Sequence, residues 1–137
     1  MQPDSTRATD AKAWLAMASQ DLRRVEILLT AVPPDIEGAL FHCQQAAEKA
    51  LKGFLTWHDI GFRRVPDLDE IGKQCVETDS SLAGLLKGVG ALSAYASRFR
   101  YPGASYEPAI EEATSARDLA RDVMESIINL LPPQARL

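Results

Sequence analysis

The sequence predicts an all-α protein, an up-and-down antiparallel helical bundle of four long helices plus one short helix. Three observations predict it. Apolar residues recur at spacings of three and four along almost the whole chain, the period of one helix face. No stretch alternates apolar and polar residues over strand length, and β-branched residues are sparse. Proline and glycine gather in a few short breaks, "VPPD", "DIGFRRVP" and "YPG", which cut the chain into helix-length pieces.

The first helix is expected from about Thr9 to Thr30, with Trp14, Leu15, Ala18, Leu22, Val25, Leu28 and Leu29 on its apolar stripe. The two prolines that follow cannot continue its hydrogen-bond ladder. Asp35 is an N-cap residue and opens a second helix to about His58 through Ile36, Leu40, Gln44, Ala47, Leu51, Phe54 and Leu55. Gly61 is suited to close that helix. Asp67 with Glu70 three residues later resembles a capping box and starts a short helix through Leu68, Ile71 and Cys75. A fourth helix is expected from near Ser80, carrying Leu82, Leu85, Leu86, Val89, Leu92, Ala96 and Phe99 up to Pro102-Gly103. Gly84, Gly88 and Gly90 each cost it about 1 kcal/mol relative to alanine, which points to close packing or to a shorter or bent helix. Pro108 suits the first turn of a fifth helix, whose stripe is Ile110, Ala113, Ala116, Ala120, Val123, Ile127 and Leu130. Residues 1–8 read as a disordered lead-in, 9–131 as one helical domain and 132–137 as a tail.

A length of 137 residues, 46% hydrophobic and 25% charged, is that of one ordinary globular domain with a real core. Fifteen basic against nineteen acidic residues leave a net charge of −4, so the surface as a whole repels nucleic acid. Phosphate binding then requires a local basic cluster. The longest apolar runs, such as "IINLL", are far too short to span a bilayer, and "MQPDSTRATD" lacks the apolar core of a signal peptide. A cytoplasmic location without membrane association is expected. Cys43 and Cys75 fall on different helices with no CxxC partner, which marks them as reduced, buried thiols. With no glycine-rich phosphate loop and no ligand cluster, neither a cofactor nor a metal is expected.

The most unusual segment is "FHCQQAAEKALKGFL", residues 41–55. His42, Gln45, Lys49 and Lys52 fall at i, i+3, i+7 and i+10 and form one polar ridge beside the core face. Gln44 and Glu48 lie between that ridge and the core. One reading is a solvated face with a Gln44–Glu48–Lys52 ladder at i, i+4. The other is a ridge that meets the arginines of "SRFRYPGASY", or a second copy of itself, across a bundle groove. Arg98 and Arg100 project from different faces and, with Arg63 and Arg64, can make a local basic rim for phosphate. Tyr95 and Phe99, four residues apart, read as core or dimer-face aromatics. His58, near a helix end, is given no function.

These residues resemble the prokaryotic HEPN domain family (higher eukaryotes and prokaryotes nucleotide-binding domain). The family pattern has a tryptophan-led first helix with an Asp-Leu pair, matched by Trp14 and Asp21-Leu22. A His-x-Gln-Gln-Ala-x-Glu-Lys-x-Leu-Lys helix follows, matched by His42, Gln44, Gln45, Ala46, Glu48, Lys49, Leu51 and Lys52. The closing Tyr-x-x-x-x-Arg-Tyr-Pro is matched by Tyr95, Arg100, Tyr101 and Pro102. The similarity runs from about Lys12 to Leu131. It implies a bundle of four to five helices, a homodimer, and a role near nucleotides or RNA. Many members partner a small nucleotidyltransferase in toxin–antitoxin pairs, and others are metal-independent ribonucleases.

The ribonuclease members share an Arg-x(4–6)-His motif, in which the arginine stabilises the charged transition state and the histidine moves protons. This sequence departs from it. Its histidines are His42 and His58, neither with an arginine five to seven residues before it, and Ser105 stands where a histidine would follow Arg100. Serine does not titrate near neutral pH. A second departure is "RVPDLDE", where relatives often read Thr-His-Asp-Leu, so Pro66 replaces a second imidazole. The reading is therefore a HEPN protein with no assigned catalytic residue. It is expected to bind nucleotide or phosphate through Arg98, Arg100, Tyr101, His42, Gln45, Lys49 and Lys52, in a groove between the second and fourth helices. The alternatives are a structural or adaptor dimer, and an atypical ribonuclease pairing Arg100 with His42. The small residues Ala94, Ala96 and Ser97, with the glycines of the fourth helix, mark that helix as the expected dimer face.

Overall fold

The computed structural model describes residues 3–62, 68–97 and 107–137. Among these there are helices and no strand, in the order expected of the bundle. The helix α1 spans Asp4–Thr30, α2 Ile36–Trp57, α3 Leu68–Thr78, α4 the single turn Ala83–Leu86, and α5 Ile110–Leu130. The chain thus becomes helical at Asp4, and Ala8 is buried, so residues 4–8 extend α1 instead of forming the expected disordered lead-in.

The helix α2 is the centre of the packing. It contacts α1, α3, α5 and the 3-10 run Val89–Ala96. Its sequence suits that position, because Ala39, Ala46, Ala47, Ala50 and Gly53 are all buried and let neighbours approach on several sides. The approach of α1 is close at Gly53, where a Cβ would lie 3.2 Å from the Ala11 carbonyl oxygen and 3.3 Å from the Trp14 Cβ. Leu15, Leu40, Leu51, Phe54, Leu55, Ile71 and Ile127 supply the large side chains of the core. On α1 the expected stripe holds: Leu15, Ala18 and Val25 are fully buried, with Leu22, Leu28 and Leu29 packed at its edge.

Both ends of α2 have local causes. The Asp35 carboxylate accepts the Gly38 N–H at 2.9 Å, the cap the sequence predicted. At the other end Ile60 N–H bonds to Leu55 C=O at 2.9 Å and Asp59 N–H to Thr56 C=O at 3.1 Å. These are the two bonds of a Schellman motif, and they place Asp59, not Gly61, at its left-handed position, with φ 58°. Ile60 packs against the core beside this turn, which anchors the register. Glycine adopts that conformation without the Cβ penalty, so Asp59→Gly is expected to raise stability by about 0.5–1 kcal/mol. A higher midpoint in urea unfolding checks it.

The expected fourth helix is corrected. Ser80–Leu82 is a 3-10 turn capped by Asp79, whose carboxylate takes the Ser81 N–H at 3.0 Å and the Ser81 hydroxyl at 2.6 Å. These bonds hold the Asp79 pKa below its ordinary value, with the hydroxyl bond the main cause. After α4 the chain turns at Lys87-Gly88 and continues as the 3-10 run Val89–Ala96. Glycines supply the reason, since they weaken an α-helix and permit tight contact. A Cβ at Gly90 would run into the Asp69 carboxylate of α3. The expected end of this helix at Phe99 lies outside the described residues. Tyr95 remains anchored through its hydroxyl, which donates to the Glu112 carboxylate of α5 at 2.8 Å.

Pro108 stands two residues ahead of α5, not within its first turn. The stripe Ala113, Ala116, Ala120, Val123 and Ile127 is buried as expected, joined by Met124, while Ile110 and Leu130 at the helix ends are exposed. After α5, Pro133–Ala135 forms a 3-10 turn that packs on α1 and buries Ala135 completely. Across the surface, Glu26 of α1 receives Arg121 at 2.5 Å and Arg117 at 3.7 Å from α5, an exposed pairing of small energetic weight.

Cys43 and Cys75 are free and fully buried, and burial pushes both thiols up from 9.0 to about 12. In the unfolded chain they ionise near the lower value. The stability they confer is therefore complete below pH 9 and is lost as pH rises from 9 towards 12, with a limiting slope of about 1.4 kcal/mol per pH unit per thiol. Urea midpoints at pH 8 and pH 10.5 are expected to differ more in the natural chain than in a Cys43→Ala/Cys75→Ala variant. Neither thiol is expected to react with a thiol reagent until the chain unfolds.

Candidate functional site at the α1–α2 seam

A charged residue on the apolar stripe of α1 organises the polar ridge of α2. Asp21 is 1% exposed, between Ala18 and Val25. Its Oδ2 accepts the Lys49 ammonium at 2.6 Å. Its Oδ1 lies 2.7 Å from His42 Nδ1 and 3.3 Å from the Arg24 guanidinium. A carboxylate only accepts, so Nδ1 of His42 carries the proton and Nε2 is left as the free ring nitrogen. The i, i+7 spacing of His42 and Lys49 puts both on the side of α2 that meets α1.

The rest of the ridge is held within α2. Gln45 donates to the Gln44 carbonyl oxygen at 2.6 Å, and the Gln44 amide approaches Glu48 at 3.5 Å. Lys52 reaches Glu48 at 3.5 Å, so the i, i+4 ladder of the first reading is present. The Lys52 ammonium also lies 5.2 Å from the ring centroids of both Trp14 and Phe62, with favourable cation–π geometry. Gln44 and Glu48 are buried, as their place between ridge and core required.

The structure thus brings together His42, Lys49 and, through neighbouring pairs, Gln45 and Lys52. Among the described residues their partner is α1; Arg98, Arg100 and Tyr101 lie outside the described residues, as do Arg63, Arg64 and Ser105. Sequence reasoning missed Asp21 as the hub and Arg24 as its half-exposed partner. The available signal was the carboxylate at a core position, i+7 from Trp14 and i+3 from Ala18.

The charge balance at the seam is positive. Lys49 and Arg24 face one carboxylate, Asp21, while Lys52 and Glu48 offset each other. His58, the second histidine, packs its ring 4.5 Å from that of Phe54 at a tilt of 53° and has its pKa lowered, chiefly by burial, against the opposing pull of Asp79 and with a smaller push from Arg7. It takes no part in the seam. Among the described residues no group of three or more histidines, cysteines and carboxylates is placed to hold a metal ion. Nor is any helix there long and apolar enough to cross a membrane.

A tryptophan-led α1, a buried Asp21 beneath it and a His-x-Gln-Gln-Ala-x-Glu-Lys ridge on α2 accord with one further finding: the family model described as the HEPN domain matches residues 11–130. The chain belongs to the HEPN family. Searches among curated proteins and among solved structures gave no match. The HEPN match runs from Ala11, within α1, to Leu130 at the end of α5, so Asp21, Arg24 and the ridge of α2 lie inside the family region. In this HEPN domain His42 and Lys49 pair with the buried Asp21, and Gln44 and Lys52 approach the buried Glu48.

Proposed function

We propose that this HEPN protein is a non-catalytic homodimer that binds a nucleotide or phosphate group and works as the partner of a small nucleotidyltransferase, in a toxin–antitoxin type pair. The observation that carries the reading is the surplus positive charge at the α1–α2 seam, where Lys49 and the half-exposed Arg24 share one buried carboxylate with His42. A protein of net charge −4 with a cationic seam attracts phosphate locally and not over its whole surface. The lack of a histidine after Arg98 or Arg100 at the ribonuclease spacing supports a binding role over catalysis. The 3-10 run Val89–Ala96 and the small residues around it provide the dimer face in this reading.

Calorimetric titration with ATP, GTP and their diphosphates tests it. Binding is expected in the natural chain and is expected to weaken about tenfold in Arg24→Gln, which removes one charge-assisted contact from a half-exposed position. Absence of heat with all four ligands sinks the nucleotide reading. Sedimentation of the purified protein as a monomer would sink the dimer.

A second reading is favoured by one specific contact. The Asp21–His42 pair has the arrangement of an oriented base, carboxylate on Nδ1 and Nε2 free. An atypical ribonuclease using His42 with Arg100 would degrade RNA without metal and lose that activity in either His42→Ala or Arg100→Ala.

A further inference from the structure

A separate cavity of about 360 Å3 opens at the end of the α1–α2 pair, where α2 passes into its Schellman turn. Asp10, Trp14 and Met17 line it from one face of α1, and Asp59 and Ile60 from the turn. We propose that this cavity receives a guanidinium group.

Three independent features set the sign and shape of the ligand. Asp10 and Asp59 supply carboxylates from the two elements flanking the cavity, and neither carboxylate has a hydrogen-bond or ion-pair partner among the described residues. The cavity lies at the C-terminal end of α2, where the helix dipole favours a cation and the last turn itself carries no basic residue. The wall between them is soft and aromatic: the half-buried Trp14 indole and the Met17 side chain, 44% exposed. The Trp14 ring already holds one cation, the Lys52 ammonium, and neither Lys52 nor Phe62 lines the cavity.

Such a site repels phosphate and attracts a cation. A planar guanidinium suits it better than a compact ammonium, because it stacks on an aromatic wall and donates from two edges to two carboxylates. The volume is at the small end of ligand pockets, the scale of one side chain or a small amine rather than of a nucleotide. Asp59 fits the same account, since the left-handed position it occupies favours glycine and the aspartate brings a carboxylate to the rim. The site is opposite in charge to the seam at Asp21, so its occupancy is independent of the phosphate reading.

The test uses the full chain with Trp57→Phe, which leaves Trp14 as its one tryptophan reporter. Two probes separate the source of the cation: agmatine, and an eight-residue peptide with a single arginine. The control is the same peptide with citrulline, neutral and nearly isosteric. Both guanidinium probes are expected to shift Trp14 emission, and Asp10→Asn or Asp59→Asn to weaken each about tenfold. A peptide bound about tenfold tighter than agmatine assigns the site to a partner's arginine, and equal affinities assign it to a free guanidinium. Equal response to the citrulline peptide, affinity unchanged in both aspartate variants, or no response to either probe overturns the proposal. Asparagine tolerates the left-handed position, and Asp10 is exposed, so neither variant is expected to unfold.

Discussion

Asp21→Ala is expected to lower the free energy of unfolding by about 3–5 kcal/mol, the cost of leaving a buried charge without its partner. The stranded charge is Lys49, whose side chain is 16% exposed and whose ammonium sits 2.6 Å from the lost carboxylate. His42 and Arg24 lose the same acceptor, but Arg24 is half in water and regains solvation easily. Because typical domains are stable by only about 5–15 kcal/mol, this one change takes a large share of the total. Urea unfolding followed by circular dichroism measures it. The double variant Asp21→Ala/Lys49→Met is expected to recover part of the loss, since it removes the stranded charge and keeps the stem's packing. If Asp21→Ala alone costs less than about 1 kcal/mol, the seam is a surface-like ion pair and not a buried one.

Gly53→Val is the second large effect, with an expected cost of about 1–3 kcal/mol from overpacking. Its Cβ alone would stand 3.2 Å from the Ala11 carbonyl oxygen, and that contact is backbone, which cannot rotate away. Two γ-methyl groups added there would push α1 off α2 along the length of their seam. The expected signature is a lower midpoint in urea. Gly53→Ala is a finer probe, because about 1 kcal/mol of gained helix propensity opposes the same contact. A fully tolerated valine would mean that α1 can move away from α2 at little cost.

Much of this was legible in the sequence, for reasons that differ by element. The body of α2 was readable because its cap, Asp35, acts within one turn and its apolar period is local. The ridge residues were readable as a set, since i, i+3, i+7 and i+10 share a face whatever the tertiary fold. Their partner was not. Asp21 stands 21 residues before His42 and 28 before Lys49, and only the packing of α1 on α2 brings the three together. The end of α2 was misassigned to Gly61 because glycine is the common left-handed residue, while the register of the turn follows from where Ile60 packs. The fourth helix failed for a third reason: α and 3-10 winding differ little in local preference. The contact between Asp69 and Gly90, set by tertiary packing, helps decide between them.

That 3-10 winding changes how far the chain reaches. Eight residues from Val89 to Ala96 advance about 16 Å as a 3-10 helix, against about 12 Å as an α-helix. Its buried side chains, Val89, Leu92 and Tyr95, recur every third residue, so they line up in a straight row only under three-residue winding. Rewound as α, the row would rotate off the core and Tyr95 would be drawn back by several ångströms from Glu112. Gly88 and Gly90, at the start of this run, therefore act as a length setting: they favour the longer winding that delivers its last aromatic to α5.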